Sequence, residues 1–322
     1  MTQPAAARAL VITGPTGSGK SDLAVAVAEA IGGAIISADS RQIYRDMEIG
    51  TASPSPRQRA RVPHFGLDLL APTESYSAGR FARDAWSWIE EIEESGAVPI
   101  IAGGTGFFIR ALLDPLGPEP RVDRERRAEL RHYLAGLAPD ELERWLVRLD
   151  PERASQLAGE GGGQRLGRSL EVTLLSGRPH SSWLERPPPT ARLEARVFCL
   201  ELPREALYRR LDARFDRMLA EGLLDEVRRL VERYGPEAPG LDSVGYAELV
   251  RHLRGACSLE EAIEEAKRKT RRLAKRQLTW FRHQLPEGTV RLDATHPAEE
   301  LVAQVVGAWR GSAPDARSAD HG

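Results

Sequence analysis

The sequence has very few cysteines and no long apolar run. Its 322 residues include two cysteines, Cys199 and Cys257, which lie far apart and are too few for a zinc site or a disulfide framework. The first ten residues, MTQPAAARAL, lack the apolar centre of a signal peptide, and no later run reaches the roughly 18 apolar residues that a membrane span requires. We therefore expect a protein of the reducing cytoplasm that has no membrane partner.

The chain also lacks an excess of charge of one sign. Its 45 Lys and Arg residues oppose 47 Asp and Glu residues, giving a formal net charge of -2. The whole molecule therefore does not carry the basic signature of many nucleic-acid-binding proteins, and a polyanionic partner would have to meet a local basic patch. With 41% hydrophobic residues, the chain is long enough to bury the core of one large domain or two modest ones.

Short apolar segments alternate with helical patterns in the first third of the chain. Ala9–Thr13, Ala34–Ala38 and Val98–Ala102 read as buried strands, and Ser77–Ser95 has the apolar spacing of a helix. Such alternation predicts an α/β fold, a parallel sheet flanked by helices, with ligands at the carboxyl ends of the strands.

This pattern is interrupted in the middle of the chain. After Leu113 the segment DPLGPEPRVDRERR is rich in proline, arginine and acid, and no convincing strand follows until Val197–Leu202. We predict a core domain in two parts, a smaller all-helical insert and a disordered tail, with these boundaries: core 1–114 and 197–310, insert 115–196, tail 311–322.

A long amphipathic helix is predicted from Leu259 to about His283. Its outer face carries KRKTRRLAKR, and its inward positions are Ile263, Ala266, Thr270, Leu273, Gln277 and Phe281. Glu264 and Glu265 lie four residues before Arg268 and Lys269, so part of this basic stripe is explained by pairing within the helix. A contribution of the remaining charges to phosphate binding stays a hypothesis.

A phosphate-binding loop lies between the first predicted strand and the helix after it. The pattern G-x-x-x-x-G-K-S is complete, and its strand-loop-helix context is the one that this motif requires. The loop consists of Gly14, Pro15, Thr16, Gly17, Ser18, Gly19, Lys20 and Ser21. Its backbone N–H groups and Lys20 would bind phosphate oxygens, while the Ser21 hydroxyl can bind a Mg²⁺ that bridges them. The loop alone does not tell whose phosphates are bound.

Two further polar residues follow predicted strands. Asp39 ends the second strand, where it can position Mg²⁺, act as a general base or stabilise a turn. Thr105 lies in the segment GGTG after the third strand, and as a bare sequence feature it is equally well a helix N-cap.

The residues after Asp39 carry a family resemblance. The segment DSRQIYRDMEIGTA, residues 39–52, resembles the signature of the tRNA dimethylallyltransferases, also called tRNA isopentenyltransferases. The same order of motifs continues through PHFGLDLL, YSAGRFARDA, PIIAGGTGFFIRALL, QRLGRSLEV, VGYAEL and RLAKRQLTWFRH. The resemblance extends to about Trp309 and is to the bacterial type, because the cysteine pairs of the eukaryotic zinc finger are missing.

This resemblance implies a reaction and roles for the residues singled out above. A dimethylallyl group would pass from dimethylallyl diphosphate to the exocyclic N6 amine of the adenosine 3′-adjacent to the anticodon of tRNA. The P-loop would then hold the diphosphate leaving group, with Mg²⁺ as the cofactor and no need for ATP. Arg214 matches an arginine on the diphosphate, Asp39 the general base, and Thr105 a position that contacts the reacting groups.

The resemblance also implies contacts with tRNA. The target base has to be flipped into a pocket while the backbone is held outside it, and the helical insert would clamp the anticodon arm. The matching positions are Asp39, Ser40, Arg41, Gln42, Arg127, Gln164, Arg165, Leu166, Gly167 and Arg168. Because the site is expected within one chain, we predict a monomer with no obligate protein partner.

Three other functions share parts of this pattern. An adenylate isopentenyltransferase would alkylate a free nucleotide, but the insert with QRLGR favours tRNA. A small-molecule P-loop kinase would consume ATP, which the motifs from Asp39 to Ala52 do not favour. An RNA-binding protein that uses nucleotide as a switch would bind tRNA without modifying it, and only the placement of Asp39 and Thr105 argues against this.

Overall fold

The computed structural model describes residues 7–114, 120, 122–159, 162–184 and 193–311. The chain forms two compact units, one comprising Met1–Asp114 and Arg192–Gly322, the other Pro115–Ala191. We call the first the core unit and the second the insert. Residues 312–322 of the predicted tail lie outside the described residues.

The core unit is built on a six-stranded sheet. Its strands are β1 Arg8–Thr13, β2 Gly33–Ser37, β3 His64–Phe65, β4 Val98–Gly103, β5 Glu194–Glu201 and β6 Val290–Asp293. They are ordered β3-β2-β4-β1-β5-β6, and every neighbouring pair is parallel. The α/β prediction is therefore confirmed, with β1 in the interior between β4 and β5.

Fifteen α-helices accompany the sheet in the described part of the chain. Their bounds are α1 Lys20–Ile31, α2 Glu48–Thr51, α3 Pro56–Arg61, α4 Ala78–Glu94, α5 Gly106–Leu113, α6 Arg124–Ala135, α7 Pro139–Leu149, α8 Pro151–Leu157, α9 Gly163–Ser176, α10 His180–Leu184, α11 Arg204–Ala220, α12 Leu223–Tyr234, α13 Tyr246–Leu253, α14 Leu259–Gln284 and α15 Ala298–Arg310. Helices α6 to α10 belong to the insert.

The sheet is covered on both faces because its strands are apolar throughout. Along β1 the side chains alternate, so that Leu10 and Ile12 pack with Val27 of α1 on one face, whereas Val11 packs with Phe81 and Ile89 of α4 on the other. Burial of each such side chain is worth about 1.5–3 kcal/mol. The two apolar layers hold the carboxyl ends of β1, β2 and β4 at one edge of the sheet.

Two strands escaped prediction and one begins earlier than predicted. β3 is two residues long, and β6 has one buried residue, Leu292, so neither has a usable apolar signal. β5 begins at Glu194 rather than Val197, inside the range predicted for the insert. Residues 194–196 are not buried, yet they pair in register with Arg8–Leu10 of β1, and this pairing is invisible in a hydrophobic pattern.

A third apolar cluster anchors the segment that follows Asp39. Ile43 and Met47 are buried together with Leu249 of α13 and Val227 of α12. Glu226 of α12 is also buried in this region and accepts hydrogen bonds from the backbone at the start of α2. The segment from residue 43 to residue 50 is thus fastened to helices that come nearly 200 residues later.

The insert has its own apolar core. Leu134 of α6, Leu142 and Leu146 of α7, and Leu166 and Leu170 of α9 form one buried cluster. Their spacing on each helix follows the three-to-four-residue period of a packed helical face. The described part of the insert contains helices and no strand.

Candidate active site

The P-loop connects β1 to α1 in a conformation that depends on glycine. Gly17 and Gly19 have φ angles of 81° and 91°, in the left-handed region where glycine has no steric penalty. At Gly14 a Cβ atom would lie 2.9 Å from the carbonyl oxygen of Leu200 on β5, so the loop backbone is packed closely against the neighbouring strand. A loop of this conformation between a strand and a helix directs successive N–H groups and the helix N-terminus toward one bound anion.

Two cations meet at this loop. Lys20 is the first residue of α1. Burial lowers its pKa to about 8; the positive charge of Arg214 also lowers the pKa, whereas the negative charge of Asp39 raises it. Burial also lowers the pKa of Arg214, on α11, whose Nη2 donates to the Thr16 hydroxyl over 2.7 Å. Positive charge that is partly removed from water in this way favours an anionic ligand.

Asp39 follows β2 and faces these cations. Its charge raises the pKa values of Lys20 and Arg214 against the effect of their burial, so all three groups share one electrostatic environment. Asp39 Oδ1 accepts a hydrogen bond of 2.9 Å from the backbone N–H of Arg41. This bond orients the carboxylate through a local turn. Asp39 therefore stabilises a turn and also lies close to Lys20 and Arg214.

Thr105 stands at the N-cap position of α5 without capping it. Its side chain makes no cap hydrogen bond; instead its hydroxyl accepts from the backbone N–H of Ser40 over 3.0 Å and donates to Ser40 Oγ over 3.3 Å. Thr105 therefore joins the loop after β4 to the loop after β2, which carries Asp39. An ordinary N-cap would have turned the hydroxyl to its own helix.

Gln277 of α14 is a site residue that sequence reasoning missed. Its Oε1 accepts from the backbone N–H of Thr16 over 2.9 Å, and its Nε2 donates to the carbonyl oxygen of Gly104 over 2.9 Å. A Cβ at Gly104 would lie 3.0 Å from Gln277 Nε2 and 3.4 Å from Lys20 Nζ, so the three groups are in close contact. The available signal was a polar side chain at an inward position of an amphipathic helix.

Gln42 has a structural task within the Asp39 loop. Its side chain is buried, accepts from Ser37 Oγ over 2.8 Å and donates to the carbonyl oxygen of Ala52 over 3.1 Å. These bonds close the segment between β2 and α2. The Gln42 side chain is thereby engaged within the protein, whereas Ser40 and Arg41 are partly exposed.

The remaining predicted RNA contacts lie in the insert. The Nε atom of Arg127 is 2.6 Å from Glu171 Oε1, and Arg131 and Arg168 bind the same carboxylate. Burial by itself would raise the pKa of Glu171, but the three arginines outweigh it and lower the pKa. Glu171 thus gathers three guanidinium groups on α6 and α9.

The other residues of the α9 segment differ in exposure. Gln164 and Arg165 are exposed, and Gly167 is partly exposed. Leu166 is buried in the apolar core of the insert, so its side chain is not available to a ligand. The Leu166 side chain packs α9 into the insert.

Ser21 is exposed on the first turn of α1, directly after Lys20. Among the described residues no group of three or more His, Cys, Asp or Glu side chains could hold a metal ion.

Together the fold and the site define a P-loop α/β protein with two cations and a carboxylate around its anion-binding loop. Comparison with known proteins gives the family. The IPP transferase family matches residues 42–284, and the isopentenyl transferase family matches residues 7–62. The chain is 43% identical over 275 residues to the tRNA dimethylallyltransferase of Pelotomaculum thermopropionicum, covering 85% of this chain and 87% of the relative. It is 45% identical over 280 residues to that of Halorhodospira halophila, covering 85% and 90%.

Solved structures agree. The tRNA isopentenylpyrophosphate transferase of Bacillus halodurans matches with a TM-score of 0.69 at 33% identity, covering 95% of this chain and 96% of that one. A eukaryotic dimethylallyltransferase acting on tRNA matches with a TM-score of 0.81 at 28% identity, covering 95% and 80%. The chain belongs to the tRNA dimethylallyltransferase family, and it is a prenyltransferase that modifies tRNA.

None of the described helices is both long and apolar enough to cross a membrane.

Proposed function

We propose that the P-loop of this chain holds the diphosphate of dimethylallyl diphosphate, and that the acceptor is the N6 amine of the adenosine 3′-adjacent to the anticodon. The observation that carries this is the convergence of Lys20 and Arg214 on the loop with Asp39 beside them. A phosphate site needs the cations alone. The carboxylate adds a group that can accept a proton from a nucleophile.

The reaction follows from this arrangement. The bond between C1 of the dimethylallyl group and the diphosphate oxygen breaks, and a bond forms between C1 and N6 of the adenine. Lys20, Arg214 and the loop N–H groups stabilise the negative charge that develops on the departing diphosphate. Asp39 accepts the proton that N6 loses, so that the products are N6-dimethylallyladenosine and diphosphate.

Thr105 acts beside these groups by holding the Asp39 loop in place. Its bonds to the N–H and hydroxyl of Ser40 fix the residue next to Asp39, and a displacement of even 1 Å in such a group is costly to rate. The hydroxyl can also contact the reacting groups, because α5 begins at the same edge of the sheet as the P-loop helix.

The site fits Mg²⁺ bound jointly with the diphosphate. Ser21 would contribute its hydroxyl, since it is exposed beside Lys20, and the other ligands would come from the diphosphate and from water. Bound Mg²⁺ would supply further neutralisation of the leaving group. The requirement for Mg²⁺ itself is part of the proposal.

The insert is proposed to grip the anticodon arm. Arg127 and Arg168, together with Arg131, are gathered by Glu171, and guanidinium groups are suited to phosphate oxygens. Gln164 and Arg165 are exposed at the start of α9, the helix that also carries Arg168. Action as a monomer is part of the same proposal, since the P-loop, Asp39 and Thr105 lie in one compact unit.

The first test is label transfer from dimethylallyl diphosphate, with Mg²⁺ and without ATP, to an unmodified anticodon stem-loop. Free AMP is present as a competing acceptor. Label on the RNA adenosine alone is the expected result. Label on AMP would contradict the proposal in favour of a free-nucleotide acceptor, and ATP hydrolysis without label on either acceptor would contradict the diphosphate assignment.

Asp39→Asn tests the proton acceptor separately. Asparagine keeps an oxygen for the Arg41 N–H bond but cannot take the proton, so transfer should fall by about 10²–10⁴-fold while RNA and diphosphate binding persist. The exposed Asp225 of α12 offers a control, because Asp225→Asn should leave transfer unchanged. Near-normal transfer by Asp39→Asn would return Asp39 to a structural or metal-positioning role.

A further inference from the structure

An aromatic side chain is exposed beside the candidate active site. Phe107 lies two residues after Thr105, in the first turn of α5, and its exposed fraction is 64%, the highest among the large hydrophobic residues of the described chain. The next residue, Phe108, is buried in the core instead. Contact of so much of a phenylalanine ring with water is unfavourable by itself, and the position of the ring next to Thr105 makes it available to a ligand of the candidate site.

Trp280 supports this ring from α14. The centroids of the Phe107 and Trp280 rings are 6.4 Å apart, with the rings tilted by 59°. Trp280 also lies directly against the backbone of Gly106, where a Cβ atom would come within 2.5 Å of the indole. Because Gln277, one turn earlier on α14, contacts the P-loop, the aromatic pair has a fixed position relative to the site.

The C-terminal half of α14, which carries Trp280, is rich in cations. Residues 267–284 contain no Asp or Glu. In the first part of this range the cations form ion pairs, as Lys267 does with Asp216 and Arg271 with Asp212. Within the part of the chain that the structure describes, Arg272, Lys275, Arg276 and Arg282 form none.

One more cation flanks the pair from α5. Arg110 is one turn after Phe107 and is exposed, and its Nη1 donates to Gln284 Oε1 over 3.0 Å. Arg276 and Gln284 each lie four residues from Trp280 on α14. Aromatic rings set among guanidinium groups form the surface on which unpaired nucleobases stack, while the cations meet the phosphates.

We propose that Phe107 and Trp280 form a stacking surface for a nucleobase next to the reacting adenosine in the RNA. This rests on the proposed function, since extrusion of one base from a loop leaves its neighbour without a stacking partner. Phe107 is close to Thr105 in sequence and stands at the same edge of the sheet, so it is placed to replace that partner. The surface thereby holds the loop open and makes transfer depend on the bases flanking the target.

The test compares three substitutions at Phe107 on the whole protein. Phe107→Tyr keeps the ring, Phe107→Leu keeps an apolar side chain without a π face, and Phe107→Ala removes both. We expect Leu and Ala to raise KM for an anticodon stem-loop about 10-fold, the scale of losing one base–aromatic stack, and Tyr to stay near the unaltered protein. KM for dimethylallyl diphosphate should not change.

A substrate change completes the cycle. Two stem-loops are used, one with an abasic nucleotide on the 5′ side of the target adenosine and one with it on the 3′ side. Each lacks one of the two bases that could stack on Phe107. On the RNA that lacks the stacked base, Phe107→Ala should have no further effect, whereas on the other it should keep its full effect. Coupling of this kind is not produced by a variant that merely disturbs the fold.

Three results would overturn the inference. The first is a Phe107→Leu variant with the same KM for the stem-loop as the unaltered protein. The second is a rise in KM for dimethylallyl diphosphate instead, which would assign the ring to the isoprenoid chain. The third is simple additivity between the effect of Phe107→Ala and the effect of each abasic position. Failure of the proposed function is distinguishable, because in that case the unaltered protein would transfer no label to any stem-loop.

Discussion

Gln277 receives a hydrogen bond from the backbone of Thr16, a residue 261 positions earlier in the chain. The same amide donates to the carbonyl oxygen of Gly104, so one side chain of α14 connects the P-loop with the loop after β4. The N–H of Thr16 is thereby turned to the protein, as is that of Ser18, which donates to the carbonyl oxygen of Pro15. Gln277 is a positioning residue in this arrangement.

Gln277→Leu should lower kcat/KM for transfer by roughly 30-fold. The substitution removes two hydrogen bonds of about 1 kcal/mol each and leaves the partly buried N–H of Thr16 and C=O of Gly104 without this partner. Steady-state kinetics with both substrates would measure this. Thr279→Ala is the matched control, because the Thr279 hydroxyl is exposed and bonds to the carbonyl oxygen of Lys275 in its own helix. An equal loss in both variants would contradict the positioning role.

The affinity for diphosphate should fall as pH rises through about 8. Lys20 has its pKa lowered to about 8 by burial, so below this pH the free protein carries the charge that binds the ligand. Above it, binding has to take up a proton, and the dissociation constant should increase by up to tenfold per pH unit. Calorimetry between pH 7 and 9.5 in two buffers of different ionisation enthalpy would show the proton uptake.

Lys20→Arg separates this titration from that of the ligand. Arginine keeps its charge throughout this pH range, so the proton uptake assigned to Lys20 should disappear while any titration of the ligand remains. An unchanged pH profile in the arginine variant would show that another group is responsible.

Glu226 should be a major contributor to the stability of the core unit. It is 2% exposed and accepts from the backbone N–H groups of Ile49 and Gly50 over 2.8 and 3.1 Å and from the Tyr246 hydroxyl over 2.6 Å. Glu226→Ala would leave the backbone N–H groups of Ile49 and Gly50 without their acceptor, and the Tyr246 hydroxyl would keep only its bond to the carbonyl oxygen of Met47. The free energy of unfolding should therefore fall by about 2–3 kcal/mol.

Urea denaturation followed by circular dichroism would measure this change. Tyr246→Phe removes one of the three donors and should cost about 1–1.5 kcal/mol. Glu232→Ala, at an exposed position of the same helix, should stay within about 0.5 kcal/mol of the unaltered protein. Equal stability of the Glu226 and Glu232 variants would show that the buried carboxylate does not stabilise the core unit.

Charge reversal at Lys275 and Arg276 should weaken RNA binding in a salt-dependent way. Neither residue is ion-paired in the described structure, and both are exposed. If both contact phosphates, their reversal should lower the slope of log affinity against log salt by about 1.5–2. Arg268 pairs with Glu265, so Arg268→Ala should leave the slope unchanged. An unaltered slope in the double variant would assign both cations to the solvated face of the helix.

The sequence indicated much of the fold because the signals involved are local. β1, α1, β2 and β4 each carry a continuous apolar or periodic pattern, and the P-loop occupies a strand-to-helix junction that its motif requires. The prediction of a parallel α/β core and of family membership was therefore confirmed. β3 was missed because two residues cannot show a period, and the start of β5 was misplaced because its first residues pair without being buried.

The site was only partly accessible by the same reasoning. The sequence identified Lys20, Asp39 and Thr105 as candidates, since each follows a predicted strand or lies within a motif. It left open whether the Thr105 hydroxyl caps its helix, and the structure turns that hydroxyl to Ser40. It also placed Leu166 among the RNA contacts, whereas packing buries its side chain in the insert.

By itself, then, the sequence determined which residue types are available and where the strands present them, because covalent order and hydrophobic period are properties of neighbouring residues. Only the tertiary structure decided which distant side chains meet: Gln277 with the P-loop, Glu171 with three arginines, and Trp280 with Phe107. Hydrogen bonds and ring contacts act over a few ångströms. Their partners are therefore selected by the packing of helices and strands that the chain brings together from remote positions.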